Sequence, residues 1–90
     1  MMKPLEWIAS SKKDLKEMPD PVQDNIGFAL FQAQSGEKSD DAKPLKGFRG
    51  SGVLEVVDNF DGDTYRAVYT VRFEYALYVL HVFQKRIQSR

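Results

Sequence analysis

Ninety residues carrying 13 Lys/Arg against 13 Asp/Glu and no cysteine are expected to form one domain, residues 1–90, of zero formal charge. Disulfides, thiolate metal sites and cysteine nucleophiles are excluded outright, and the composition suits a reducing cytoplasm. No apolar run approaches the ~18 residues of a membrane span, and the N-terminus lacks a signal-peptide core, so the expected location is cytoplasmic with no membrane partner.

Leu5, Trp7 and Ile8 read as an opening strand. Ser10 or Ser11 can cap a helix with Leu15 and Met18 inward, Asp14 standing near the capping-box position, and Pro19 should stop it. Asp20-Pro21 is a second start signal, an acceptor at the cap followed by a proline whose missing N–H costs nothing there. Val22, Ile26, Ala29, Leu30 and Ala33 recur at helical spacing, which carries this helix to about Gln34. The polar stretch from Ser35 to Lys43 reads as a loop.

After that loop the period changes to two. Val53–Val57 reads as a strand, Asn59–Asp63 supplies turn chemistry, and Thr64–Arg72 is a second strand dense in β-branched and aromatic residues. Leu77–Phe83 is a third strand, apolar on both faces except for His81, which suits an interior place in the sheet. The fold class is α+β: strand, helix, helix, then a three-strand antiparallel meander, with the helices packed on one sheet face. The sequence shows no internal repeat.

Neutral net charge argues mildly against a free nucleic-acid binder, yet the charges are unevenly spread. Lys43, Lys46 and Arg49 occur with no acid between them; Lys85, Arg86 and Arg90 follow the last strand; the acids gather at Glu37–Asp41 and Glu55–Asp63. Alternation sets Tyr65, Ala67 and Tyr69 on one strand face and Arg66, Val68, Thr70 and Arg72 on the other. Arg66 is either a stray arginine on a solvated face or a guanidinium held on a rigid sheet for bidentate phosphate recognition. Lys43-Pro44-Leu45-Lys46-Gly47 reads as a shaped basic loop able to track a phosphate backbone. His81, grouped by alternation with Leu77, Val79 and Phe83, reads as a packed, hydrogen-bonded core histidine. Asp58, Asp61 and Asp63 lack the downstream glutamate of a calcium loop, because that position is Tyr69. Gly50-Ser51-Gly52 lacks the lysine of a P-loop.

Three blocks together carry a resemblance. They are Lys43-Pro-Leu-Lys-Gly-Phe-Arg-Gly-Ser-Gly-Val-Leu-Glu-Val, Tyr65-Arg-Ala-Val-Tyr and Tyr78-Val-Leu-His-Val-Phe-Gln-Lys. The chain resembles the phage-derived HigB-type branch of the RelE/ParE toxin superfamily, in which a KPL-G-G-(L/V)-E loop and strand precede a YR-VY strand and a V-H-F-K strand. The resemblance spans essentially the whole chain, since the element order matches too. It implies the toxin of a toxin–antitoxin pair, an endoribonuclease that cuts messenger RNA on the ribosome without metal or other cofactor. The implied partners are a cognate antitoxin, of helix-turn-helix type, together with ribosome and mRNA.

In such chemistry the ribose 2′-OH attacks the adjacent phosphate while protein cations stabilise the charge that builds there. The resemblance assigns Arg66 to the phosphate-binding arginine, and Lys85 and Arg86 to the basic pair after the last strand. Lys43, Lys46 and Arg49 would hold RNA. Two departures stand out. Glu55 and Asp58 occupy the first meander strand where RelE carries lysines, and a C-terminal tyrosine of RelE has no counterpart before Arg90. The competing readings are a degenerate member that binds its antitoxin without cutting, and a ParE-like gyrase inhibitor.

Overall fold

The change of period from helical to two-residue spacing divides the chain into a helical half and a sheet half. The computed structural model describes residues 2–85. Its elements are β1 (Leu5–Trp7), α1 (Ser11–Lys16), α2 (Asp20–Gln34), β2 (Ala42–Pro44), β3 (Val53–Phe60), β4 (Asp63–Thr70) and β5 (Leu77–Lys85). Together the strands form a five-stranded sheet in the order β1-β5-β4-β3-β2. β1 runs parallel to β5, and the other neighbours are antiparallel. Among the described residues no helix is long and apolar enough to cross a membrane.

The α+β class and the meander stand, with one strand more than expected. Ala42–Pro44 pairs with Leu54–Val56 as β2, so the segment read as a loop through Lys43 and Pro44 is partly sheet. Three residues carry too little period to announce a strand; the pairing with β3 makes it one. Proline is admissible there because β2 is the sheet edge.

Helix α2 buries Val22, Ile26, Ala29, Leu30 and Ala33, the five positions its spacing selects. They pack on Tyr65, Ala67 and Tyr69 of β4, with Leu77, Val79 and Val82 of β5 in the same cluster. Leu15 of α1 joins that core, so both helices cover one face of the sheet. The helix starts differ in detail. Asp20 is the first helical residue rather than the cap; Pro19 takes the cap position, and its carbonyl accepts from the N–H of Val22 and Gln23. Ser10, not Ser11, stands at the cap of α1, and its hydroxyl donates to Asp14 Oδ2 at 2.7 Å. Ser11 is buried instead, tying α1 to β5 by donating to the Val79 carbonyl.

The β3–β4 hairpin closes through Asp61-Gly62, both at positive φ (52° and 85°), the geometry whose twist matches paired strands. This turn fixes the register from Phe60↔Asp63 to Val53↔Thr70. β4 ends at Thr70, two residues before the expected Arg72, because β3 offers no partner beyond Val53. The chain leaves the ladder as the Val71 N–H donates to the Gly52 carbonyl at 2.8 Å. A second departure from simple alternation lies in β5. Val68 pairs with His81 but Tyr69 with Val79, which leaves Leu80 as a bulge residue. The bulge turns His81 and Phe83 to the face opposite the helices, while Leu77, Val79 and Val82 remain in the core. His81 is therefore exposed, and its expected place among Leu77 and Val79 is corrected.

Two stability predictions follow from this packing. Tyr69 is fully buried, its hydroxyl has no hydrogen-bond partner among the described residues, and burial pushes its pKa up to about 12 from 10.0. The folded state thus holds this proton between pH 10 and 12 while the unfolded chain releases it, so stability falls as pH rises through that window. The loss is roughly 3 kcal/mol at full extent. Urea melts at pH 8 and pH 11 should show a larger drop for the wild type than for Tyr69→Phe. At Gly52, φ is +79° and an added Cβ would meet the Arg72 Cβ at 2.8 Å. Gly52→Ala should cost about 1–3 kcal/mol from backbone strain and crowding, or roughly 5–15 °C of Tm by circular dichroism. Gly36→Ala shares the positive φ without a neighbour within 4 Å and should lose less.

Candidate functional site

The face of the sheet away from the helices is built from the alternate residues of the same strands. On β4, Tyr65 and Ala67 enter the core, so Arg66 between them must project to the opposite side. The hairpin register places Val57 opposite Arg66 and Glu55 opposite Val68, making Glu55 the diagonal neighbour of Arg66 on one face. Arg66 Nη1 donates to Glu55 Oε1 at 2.8 Å, with side-chain exposures of 24% and 11%. The edge strand adds Lys43 directly across from Glu55. From the other side, β5 sets Phe83 across from Arg66 and Lys85 across from Thr64.

The β2–β3 connection closes one end of this surface. Its start is pinned by Leu45 N–H donating to the Val53 carbonyl at 3.0 Å, and two further turns follow at Phe48 and Ser51. Lys46 and Arg49 stand exposed on it. The result is a groove of about 860 Å³ lined by Lys43, Lys46, Arg49, Arg66 and Lys85, together with Glu55 and Phe83. Five of the six cations assigned to the site from sequence thus border one concavity. Arg86, the sixth, lies outside the described residues, as does Arg90.

The electrostatics of the groove are asymmetric. Five cations surround one carboxylate, so the local charge is strongly positive although the chain is neutral. Glu55 satisfies only one of the guanidinium's donors. Arg66 Nε is buried and has no acceptor among the described residues. A buried guanidinium N–H without a partner is costly, and a phosphate oxygen is the acceptor whose geometry suits the guanidinium fork. The arrangement can therefore hold an anion between Arg66, Lys43 and Lys85, with a carboxylate at its edge.

Two groove residues were not selected from sequence as parts of a site. Glu55 figured only as an acid where relatives carry lysine, although the Asp61-Gly62 turn alone implies its register against Arg66. Phe83 was hidden by the bulge, since simple alternation grouped it with core residues Leu77 and Val79. Arg72, expected on the same strand face as Arg66, lies beyond the end of β4 and does not line the groove.

A family model described as "Phage derived protein Gp49-like" matches residues 13–89, from within α1 through the sheet. A comparison with curated proteins returns no significant match. With nearly the whole chain matched, and with two helices packed on one face of a meander sheet, the chain belongs to the phage-derived Gp49-like family of the RelE/ParE-like toxin superfamily.

Proposed function

We infer that the chain is a HigB-type toxin whose groove cleaves messenger RNA on the ribosome, and that a cognate antitoxin holds it in check. The observation that carries this reading is the meeting of Arg66, Lys43, Lys46, Arg49 and Lys85 around Glu55 in one groove. RNA carries its own nucleophile, so the protein's task is to position a phosphate and stabilise its charge. The 2′-oxygen forms a bond to the adjacent phosphorus as the bond to the 5′-oxygen breaks. The carboxylate of Glu55 takes the 2′ proton, and the ammonium of Lys85 gives a proton to the departing oxygen. A 2′,3′-cyclic phosphate and a 5′-hydroxyl result. Arg66 binds the non-bridging oxygens through Nε and a terminal nitrogen, and Arg86, which follows Lys85 in sequence, is a further candidate cation.

A protein partner is supported by a separate surface. Phe28 and Phe31 project from the outer side of α2, both exposed, with ring centroids 6.4 Å apart. Exposed stacked aromatics on an otherwise polar helix face suit burial by a partner segment. One observation favours the degenerate-member reading: Glu55 already engages Arg66, where an active relative could leave the arginine free.

Inducing the chain alone and mapping cuts in translated messages separates the two readings. The nuclease reading expects growth arrest and cuts within translated codons; the degenerate reading expects neither, with antitoxin binding retained. Arg66→Ala should keep the fold and lose about 10²–10³ in cleavage rate, corresponding to about 3–4 kcal/mol of barrier. Arg66→Lys should recover only part, because an ammonium is a point charge where the guanidinium contacts two oxygens. Arg72→Ala keeps the Cβ beside Gly52, lies outside the groove and should remain fully toxic. Wild-type cleavage by a folded Arg66→Ala would remove Arg66 from the mechanism.

A further inference from the structure

The groove has a neighbour that phosphate chemistry leaves unused. Phe83, directly across from Arg66, forms part of the wall between the basic groove and a second hollow of about 400 Å³. That hollow is lined on the sheet side by Tyr65, His81 and Gln84, and on the helix side by Asp14, Glu17 and Met18. The rings of His81 and Phe83 lie 4.6 Å apart, tilted by 32°, and His81 is exposed. This aromatic pair exists because the Leu80 bulge turns both residues out of the core.

An aromatic stack directly across the strand pair from a phosphate-binding cation is the chemical pattern of a single-stranded nucleic-acid site. Backbone charge is met by cations, and bases stack on rings whatever their identity. The geometry points to a nucleobase subsite here: an unpaired RNA base extends the His81–Phe83 stack on the Phe83 side while its phosphate sits at Arg66. Gln84, which lines both concavities, offers an amide to the edge of that base. This inference rests on the reading of the groove as an RNA site, and it adds the requirement that the base beside the bound phosphate be unstacked from its neighbours. A duplex, or a backbone without a base, would leave the aromatic surface uncovered.

The test uses the whole chain and two short single-stranded RNAs that are 2′-O-methylated to prevent cleavage, one of them lacking its central base. Wild-type protein should bind the complete oligonucleotide about 5- to 150-fold more tightly than the abasic one. Phe83→Leu keeps an apolar side chain without a ring and should bring the two affinities together; Phe83→Ala should do the same if it folds. Phe83→Trp, in a Trp7→Phe background, should keep the preference, with its fluorescence quenched by the complete oligonucleotide and not by the abasic one. Arg66→Ala should weaken both ligands alike. If Phe83→Leu keeps the wild-type preference, the base subsite is overturned while the phosphate groove survives through its Arg66 dependence. If the wild type binds neither oligonucleotide, the subsite and the RNA reading of the groove fall together.

Discussion

The alternation of side chains along β4 is the constraint on which both the core and the site depend. This strand is the middle of five, paired on both edges, and it has no free register. Tyr65, Ala67 and Tyr69 go to the helices and are almost fully buried. Arg66, one peptide unit away from two of them, is held on the opposite face by the same backbone. A one-residue slip would bury the guanidinium under α2 and expose three core residues, so hydrophobic packing on one side fixes electrostatic geometry on the other. No loop motion can relax Arg66 without breaking pairs to β3 or β5.

On the open face, the Arg66–Glu55 contact is better understood as a positioning device than as a source of stability. A partly buried ion pair recovers in Coulomb attraction roughly what its desolvation costs, and an apolar pair of similar volume would pack at least as well. Losing either partner alone would lower stability without unmaking the fold, because the other is left as a partly buried, uncompensated charge. The pair holds the guanidinium in one orientation while its Nε has no acceptor among the described residues. The surrounding lysines come from different elements: Lys43 from an edge strand, Lys46 and Arg49 from a connecting loop, Lys85 from β5. Only sheet pairing brings residues so distant in sequence around one groove.

How much of this was legible in the sequence depends on how local each signal is. Five apolar positions at helical spacing wrote α2 directly, and Asp61-Gly62 wrote the hairpin turn, because each depends on neighbours within a few residues. The cations of the groove were legible as residue types at strand and loop positions. Arg66's partner was not, since an ion pair across a hairpin requires the register to be followed from the turn outward. β2 escaped because its three residues owe their conformation to β3 rather than to their own propensity. The bulge at Leu80 escaped for a different reason. Nothing in Leu77–Phe83 breaks the apolar pattern, so strict alternation sent His81 and Phe83 to the core side.

That hidden bulge bears on why the two concavities adjoin. Without the extra residue, His81 and Phe83 would follow Leu77 and Val79 into the core, where Val82 now sits fully packed. The bulge lets one strand satisfy the core with Leu77, Val79 and Val82 and then present two rings on the opposite side, next to the arginine of β4. Bulges interrupt a ladder and are often found where a side chain must be re-aimed at a site. Here the interruption falls between Val68 and Tyr69 on the partner strand, two residues beyond Arg66. The pairing Arg66↔Phe83 resumes regular geometry and carries the aromatic wall to the edge of the basic groove. Sequence-regular β4 supplies the charge, irregular β5 supplies the rings, and the chemistry of the open face depends on the difference between them.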